Sequence, residues 1–183
     1  MTTDNTTSRA IQGTLFETSG PATDETIGYR GPTVCQIAGV SYRQLDYWTR
    51  TNLIDASVSA AQGSGTQRLY SFRDILIIKI IRSLLDAGIS LQNIRKALAE
   101  ISDRDVTDLA SLTLFSDGTT IYECRSADEV VDLLAGGQGV FGIAVPGLVQ
   151  DLTGSITAFP SQTADPTAVG DELAARRARR DSA

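Results

Sequence analysis

The 183 residues suit one domain or two small ones, carry a net charge of −6, and include two cysteines and no histidine. That composition excludes a histidine-bearing zinc site, removes the commonest general acid–base group from any enzymatic reading, and supplies too few thiols for a disulfide framework. No run reaches the roughly 18 consecutive apolar residues of a membrane span, and the Thr-rich start lacks a basic-then-apolar signal layout, so a cytoplasmic location is expected.

Residues 1–28 are rich in Thr, Ser, Gly and Asp and are expected to be a disordered tail. Thr33 with Gln36 and Ser41 with Gln44 have capping-box spacing, and Ser71 with Asp74 is a looser version, so three helix starts are expected. Gly39 gives the turn between the first two helices a residue without a Cβ. In the second helix, residues 41–51, Leu45 and Trp48 form a buried stripe with Tyr42 close by. Arg43, Gln44, Asp46, Tyr47 and Arg50 are left to the exposed faces. The loop 57–67, with Gly63-Ser64-Gly65 at its tip, joins two expected strands at 53–56 and 68–70 as a hairpin. A helix, a tight turn, a second helix and a hairpin are the layout of a winged helix-turn-helix. The third helix, 72–87, is apolar over more than half its circumference and is expected at the centre of the core, ending at Gly88. Ser90 caps a fourth helix, 91–101, with Leu91, Ile94, Leu98 and Ile101 along one side.

Beyond the polar spacer 102–105 the pattern changes. Strands are expected at 112–115 and 120–124, joined by Ser116-Asp117-Gly118-Thr119, where Asp-Gly is a strong hairpin signal. A helix at 126–135 starts at Ser126 and ends at Gly136-Gly137, and 140–145 reads as an apolar strand. From residue 150 the chain is Thr-, Ser-, Pro- and Ala-rich and is expected to be disordered, closing on the basic DELAARRARR. The expected fold class is a mainly α winged helix-turn-helix module (29–101), then a small α+β unit (102–149), with disordered tails at 1–28 and 150–183.

Between Tyr29 and Glu100 nine Lys and Arg stand against five acids, a local charge of +4 inside an acidic chain, which is compatible with duplex DNA. Enzymatic readings find little support. Gly136-Gly137-Gln138-Gly139 lacks the Lys-Ser/Thr ending of a phosphate loop, and Asp128, Glu129 and Asp132 read as a solvated helix face. No cofactor and no metal are expected. Cys35 and Cys124 are read as structural thiols.

At Gly39-Val40-Ser41, Leu45, Tyr47-Trp48, Leu53-Ile54 and Arg68-Leu69-Tyr70-Ser71 the chain resembles MerR-family transcriptional regulators. The likeness continues through Asp74, Ile77, Ile80 and Leu84 to the join Gly88-Ile89-Ser90-Leu91, Ile94 and Arg95. The resemblance covers about residues 33–101 and implies a winged helix-turn-helix homodimer on inverted-repeat promoter DNA, where RNA polymerase is the further partner. No effector is named by these residues. Carried over by position, Arg43 and Gln44 face base edges and Tyr42 is a groove contact or a packing residue. Tyr47, Arg50 and Arg68 hold phosphates. Two departures stand out. Asp46 occupies a position where the family usually carries Arg, to accept from a cytosine or to orient Arg43 or Arg50. The family's long dimerising helix after the fourth is not evident, which moves the expected dimer contact to helix four and the α+β unit. The rival readings are an excisionase-like architectural DNA-bending protein and a protein-interaction module carried by the α+β unit.

Overall fold

The computed structural model describes residues 26–60, 67–101, 104–118, 120–126, 128–131 and 140–163. The expected tip Gly63-Ser64-Gly65, the helix end at Gly136-Gly137 and the terminal basic segment lie outside them, as does most of the segment 1–28.

The chain enters through strand β1 (Ile27–Arg30), which runs directly into helix α1 (Gly31–Ala38). The expected start at Thr33 is corrected here. Arg30 is the N-cap and Pro32 sits in the first turn, where its missing N–H removes a donor that had no helical partner anyway. Thr33 therefore falls inside the helix, and its spacing to Gln36 caps nothing. Gly39 closes α1 at φ +65°, and the Val40 N–H donates to the Cys35 carbonyl at 3.1 Å. Helix α2 (Tyr42–Arg50) begins with the full capping box: the Gln44 N–H donates to Ser41 Oγ and the Ser41 N–H donates to Gln44 Oε1. The looser pair Ser71 and Asp74 makes the same reciprocal bonds ahead of α3 (Phe72–Asp86). After α3, Gly88 at φ +87° lets its own N–H reach the Leu85 carbonyl and the Ile89 N–H reach Leu84, a Schellman ending. Ser90 then accepts from the Asn93 N–H to start α4 (Leu91–Ile101).

The expected strand at 53–56 is absent. Asn52, at φ 53°, turns the chain sharply, and Leu53, Ile54 and Ala56 are buried as core anchors. The antiparallel return is a single bridge between Ser59 and Leu69, and strand β2 (Leu69–Tyr70) pairs with β1, Tyr29 opposite Tyr70 and Arg30 opposite Leu69. Residues 27 and 28, expected in the tail, are thus in a sheet.

Helix α4 is followed by α5 (Val106–Leu109), a single turn capped by Asp105, where the sequence suggests spacer and strand. Strands β3 (Thr113–Ser116), β4 (Ile121–Cys124) and β5 (Phe141–Ala144) form an antiparallel sheet with β3 in the middle. Gly118, at φ +91°, makes the β3–β4 turn, and Ser126 accepts from the Glu129 N–H at the start of the helical residues 128–131. The tail expected from 150 is corrected for 150–163. Helix α6 (Val145–Ile156) is followed by strand β6 (Gln162–Thr163), antiparallel to β1. Val145, Leu152 and Ile156 of α6 are fully buried, a sparse stripe that the surrounding Thr, Gly and Ser conceal in the sequence.

Helix α3 is the centre of the core, with Ile75, Leu76, Ile78, Ile80, Ile81 and Leu84 at 0–1% exposure. Val34, Trp48 and Ile94 pack into the same continuous cluster as Leu114, Ile143 and Ile156, so the helix-turn-helix and the C-terminal elements share one interior. Among the described residues no helix is long and apolar enough to cross a membrane.

Gly39 offers a test of how α1 is joined to α2. A Cβ there would stand 1.9 Å from Arg82 Nη1, whose group donates to the Ala38 carbonyl at 3.0 Å. Gly39→Ala is expected to cost about 2 kcal/mol, combining left-handed strain with loss of that bond. Gly88→Ala, with open space around its Cβ, is expected to cost about 1 kcal/mol from strain alone. Urea unfolding of the two variants checks the difference, and equal losses would remove Arg82 from the account.

Candidate nucleic-acid interface

Burial of Leu45 and Trp48, each 1% exposed, fixes the rotation of α2 about its axis. Arg43, Tyr47 (48% exposed) and Arg50 then face solvent on the opposite side, with Tyr42 (62%) and Gln44 exposed on its two flanks. All five were picked out by the sequence, and the fold brings them onto one helix. Gln44 has a competing role, because its Oε1 accepts from both the N–H and the hydroxyl of Ser41, at 2.9 and 2.8 Å. A bidentate contact to adenine needs the amide oxygen and nitrogen together. In this geometry the oxygen is already engaged in capping.

Asp46 lies half-buried at the side of the helix. It accepts from Arg68 Nη1 at 3.1 Å and pairs with Arg50 Nε at 3.5 Å. Arg50 is one of the two partners the sequence suggests; Arg43 is not paired with Asp46, and Arg68 was not foreseen. The hydrogen bond that Arg68 donates to Asp46 is the main reason that its guanidinium holds its proton more firmly than usual. Ion pairs this accessible add little stability. Their effect is geometric, since one carboxylate ties α2 to the residue leading into β2. Thr49 Oγ1 and the Tyr70 hydroxyl, 3.0 Å apart, make a second tie between the same elements, and burial pushes the Tyr70 hydroxyl pKa up.

Two grooves flank α2. One, of about 470 Å³, is lined by Arg30, Gly31, Pro32, Tyr42, Asp46, Arg68 and Tyr70, among others. The other, of about 560 Å³, runs along Arg43, Gln44, Tyr47 and Arg50 with Trp48, Leu85 and Leu91. The six site residues are divided between these grooves, and Asp46 borders both.

Residues outside the expected set hold this face in place. Arg95, on α4, donates to the Thr51 carbonyl at 2.8 Å and to Thr51 Oγ1 at 3.3 Å, closing the end of α2. Arg95 belongs to the Gly88–Arg95 join that carries the family resemblance, but its contact with the end of α2, two helices earlier, has no local signature. Asp74 is 2% exposed and anchors the loop beyond α2: Oδ2 accepts from the Ser57 N–H and hydroxyl, each at 2.8 Å, and from the Ser71 N–H at 2.9 Å. Arg30 has no local signature either, because the strand-to-helix junction that places it depends on β2 and β6, distant in the sequence. Burial raises the pKa of both thiols, Cys35 and Cys124, and among the described residues no group of three or more His, Cys, Asp or Glu is placed to hold a metal.

Burial pushes the Asp74 carboxyl up, and the bonds from Ser57 and Ser71 only partly oppose this. Its folded pKa thus lies above the unfolded one, so the folded chain binds the proton more tightly. The resulting stability is complete below the unfolded value and is lost as pH rises through the folded one. Urea unfolding of wild type and Asp74→Asn between about pH 4 and pH 7 should show the wild type losing its advantage as pH rises; an advantage that grows would contradict this. Asp74→Ala leaves three donors unmatched and should cost about 2–3 kcal/mol at the acid end of that range, and less as pH rises.

The MerR HTH family regulatory protein profile matches residues 29–101. Across 162 residues the chain is 62% identical to proteins described as uncharacterized HTH-type transcriptional regulators of Mycobacterium bovis and of Mycobacterium tuberculosis. Those alignments take in 86% of this chain and 72% of each relative. The matched segment runs from the middle of β1 to the last residue of α4, the span that holds α2, its capping box and Arg68. With relatives this similar over most of both chains, this protein belongs to the MerR family of helix-turn-helix transcriptional regulators.

Proposed function

We propose that the chain binds inverted-repeat promoter DNA sequence-specifically as a homodimer, with α2 in the major groove and the 53–70 segment on the flanking backbone as a wing. The observation that carries this reading is the division of α2: Leu45 and Trp48 lock one side into the core, while Arg43, Tyr47 and Arg50 occupy the other, with Tyr42 on its flank. Arg43, near the helix N-terminus, is the residue for base edges, because a free guanidinium fork matches the two acceptors of guanine. Gln44 supports that contact from its capping position. Tyr42 sits between groove and base edge. Tyr47, Arg50 and Arg68 face phosphates and set register. Asp46 fixes the spacing of two of them. Two copies would place their α2 helices roughly one DNA turn, about 34 Å, apart. RNA polymerase at the same promoter is the partner through which occupancy changes transcription.

The test is fluorescence anisotropy on a duplex chosen by selection from a random pool, at several salt concentrations. Arg43→Ala should cost about 1–3 kcal/mol per half-site on the selected duplex and relax base preference at one position of each half-site. Arg68→Ala should weaken selected and unrelated duplexes alike and lower the magnitude of the salt slope by about 0.9 for each bound copy, about 1.8 for the homodimer. Failure of the wild type to enrich any sequence, even at low salt, would sink the proposal.

A further inference from the structure

Strand β1 is the middle strand of the sheet β2-β1-β6, and its last residue, Arg30, is also the N-cap of α1. Arg30 lies opposite Leu69, so it emerges beside Arg68 in the groove that Tyr42 also lines. On its other flank stands β6, from the far end of the described chain, and there Arg30 Nε donates to Gln162 Oε1 at 2.9 Å. The two guanidiniums of this groove are not equivalent. Arg68 is ion-paired to Asp46, whereas Arg30 has no carboxylate partner among the described residues. Its hydrogen-bond partner is a neutral amide, which leaves its charge uncompensated.

We infer that Arg30 is a further DNA-phosphate contact, and that β6 serves as a positioning element of the DNA face by holding it through Gln162. This rests on the DNA-binding reading above and extends it to a residue and a segment which that reading does not use. A guanidinium has five N–H donors in a fixed fork. Spending the Nε donor on Gln162 fixes the plane of the fork and leaves both Nη groups available. Restraint before binding reduces the rotamer freedom lost on contact. The anion expected is a duplex phosphate, because the groove adjoins the one along the exposed residues of α2, with Asp46 lining both. Two neighbouring cations facing one groove repel each other, and a phosphate between them reverses that sign.

The experiment uses the full chain, a duplex selected for binding and an unrelated duplex, each titrated over a range of salt. Arg30→Gln should weaken both duplexes by the same factor, several-fold, and lower the magnitude of the salt slope by about 0.9 for each bound copy, about 1.8 for the homodimer. Gln162→Ala should give a smaller loss, about twofold to threefold, and the double variant should bind no worse than Arg30→Gln alone, because Gln162 acts only through Arg30. Arg30→Lys keeps the charge without the fork, so it should restore the slope and lose the dependence on Gln162. Wild type that binds while Arg30→Gln leaves the slope unchanged overturns the inference and spares the DNA-binding reading. A Gln162→Ala loss as large in the Arg30→Gln background also overturns it, since β6 would then act through the sheet. Wild type that binds no duplex at low salt defeats the regulator reading itself, and this inference with it.

Discussion

A helix apolar over most of its circumference must be covered on every side, and α3 is such a helix. Six of its side chains are 0–1% exposed, and each buried Ile or Leu is worth about 1.5–3 kcal/mol. No single neighbour can cover that surface. Helix α1 and strand β2 cover part of it, α4 another, and the remainder falls to α6 and β5 from the C-terminal part, with Leu45 and Trp48 of α2 in the same cluster. The rotation of α2, which decides which of its residues meet solvent, is set by how Leu45 and Trp48 fit this arrangement. The C-terminal elements are therefore part of the support of the helix-turn-helix, and the change of pattern near residue 102 is a change of composition within one interior.

The parts legible in the sequence are those with short-range causes. Capping boxes at Ser41 and Ser71, the left-handed glycines 39 and 88, and the apolar stripes of α2, α3 and α4 are each written within a few residues, and each stands where expected. The misses have long-range causes. Strand β1 is specified by β2 and β6, which pair with it from 40 and 135 residues away. Helix α6 buries only a thin stripe and has two glycines, so its periodicity is faint until α3 is in place. Thr33 with Gln36 has the spacing of a cap, but Pro32 had already set the start of the helix. The same division holds at the site. Residues on α2 are legible by face, whereas the contacts of Arg95 and Arg30 are tertiary, and the sequence shows Asp46 without its link to Arg68.

Asp46 deserves its place in the electrostatic account because it works against the field of its own helix. An acid among Arg43, Arg50 and Arg68 lowers the positive potential of a face already set in a chain of net charge −6. What it provides in return is definition. Two long arginines that would otherwise sample many rotamers are drawn towards one carboxylate, at 3.1 and 3.5 Å. A face arranged in this way relies less on bulk attraction and more on the placement of individual donors. That suits discrimination between sequences better than general affinity for polyanions.

The sheet β2-β1-β6 carries this logic to the other end of the chain. Its central strand leads without a break into α1, so the position of the first helix depends on two partners of different origin. One, β2, belongs to the segment returning from α2; the other, β6, follows α6, which is held to α3 by buried Leu152 and Ile156 and by the Lys79–Asp151 ion pair. With only two register pairs on each side, β1 is placed more by what its neighbours are attached to than by its own hydrogen bonds. The geometry around Arg30 and the start of α1 is thus set jointly by the segment that follows α2 and by residues that sequence patterning assigns to a tail. A regulator built this way has no boundary at which its C-terminal part can be removed and leave the face around α2 as it was.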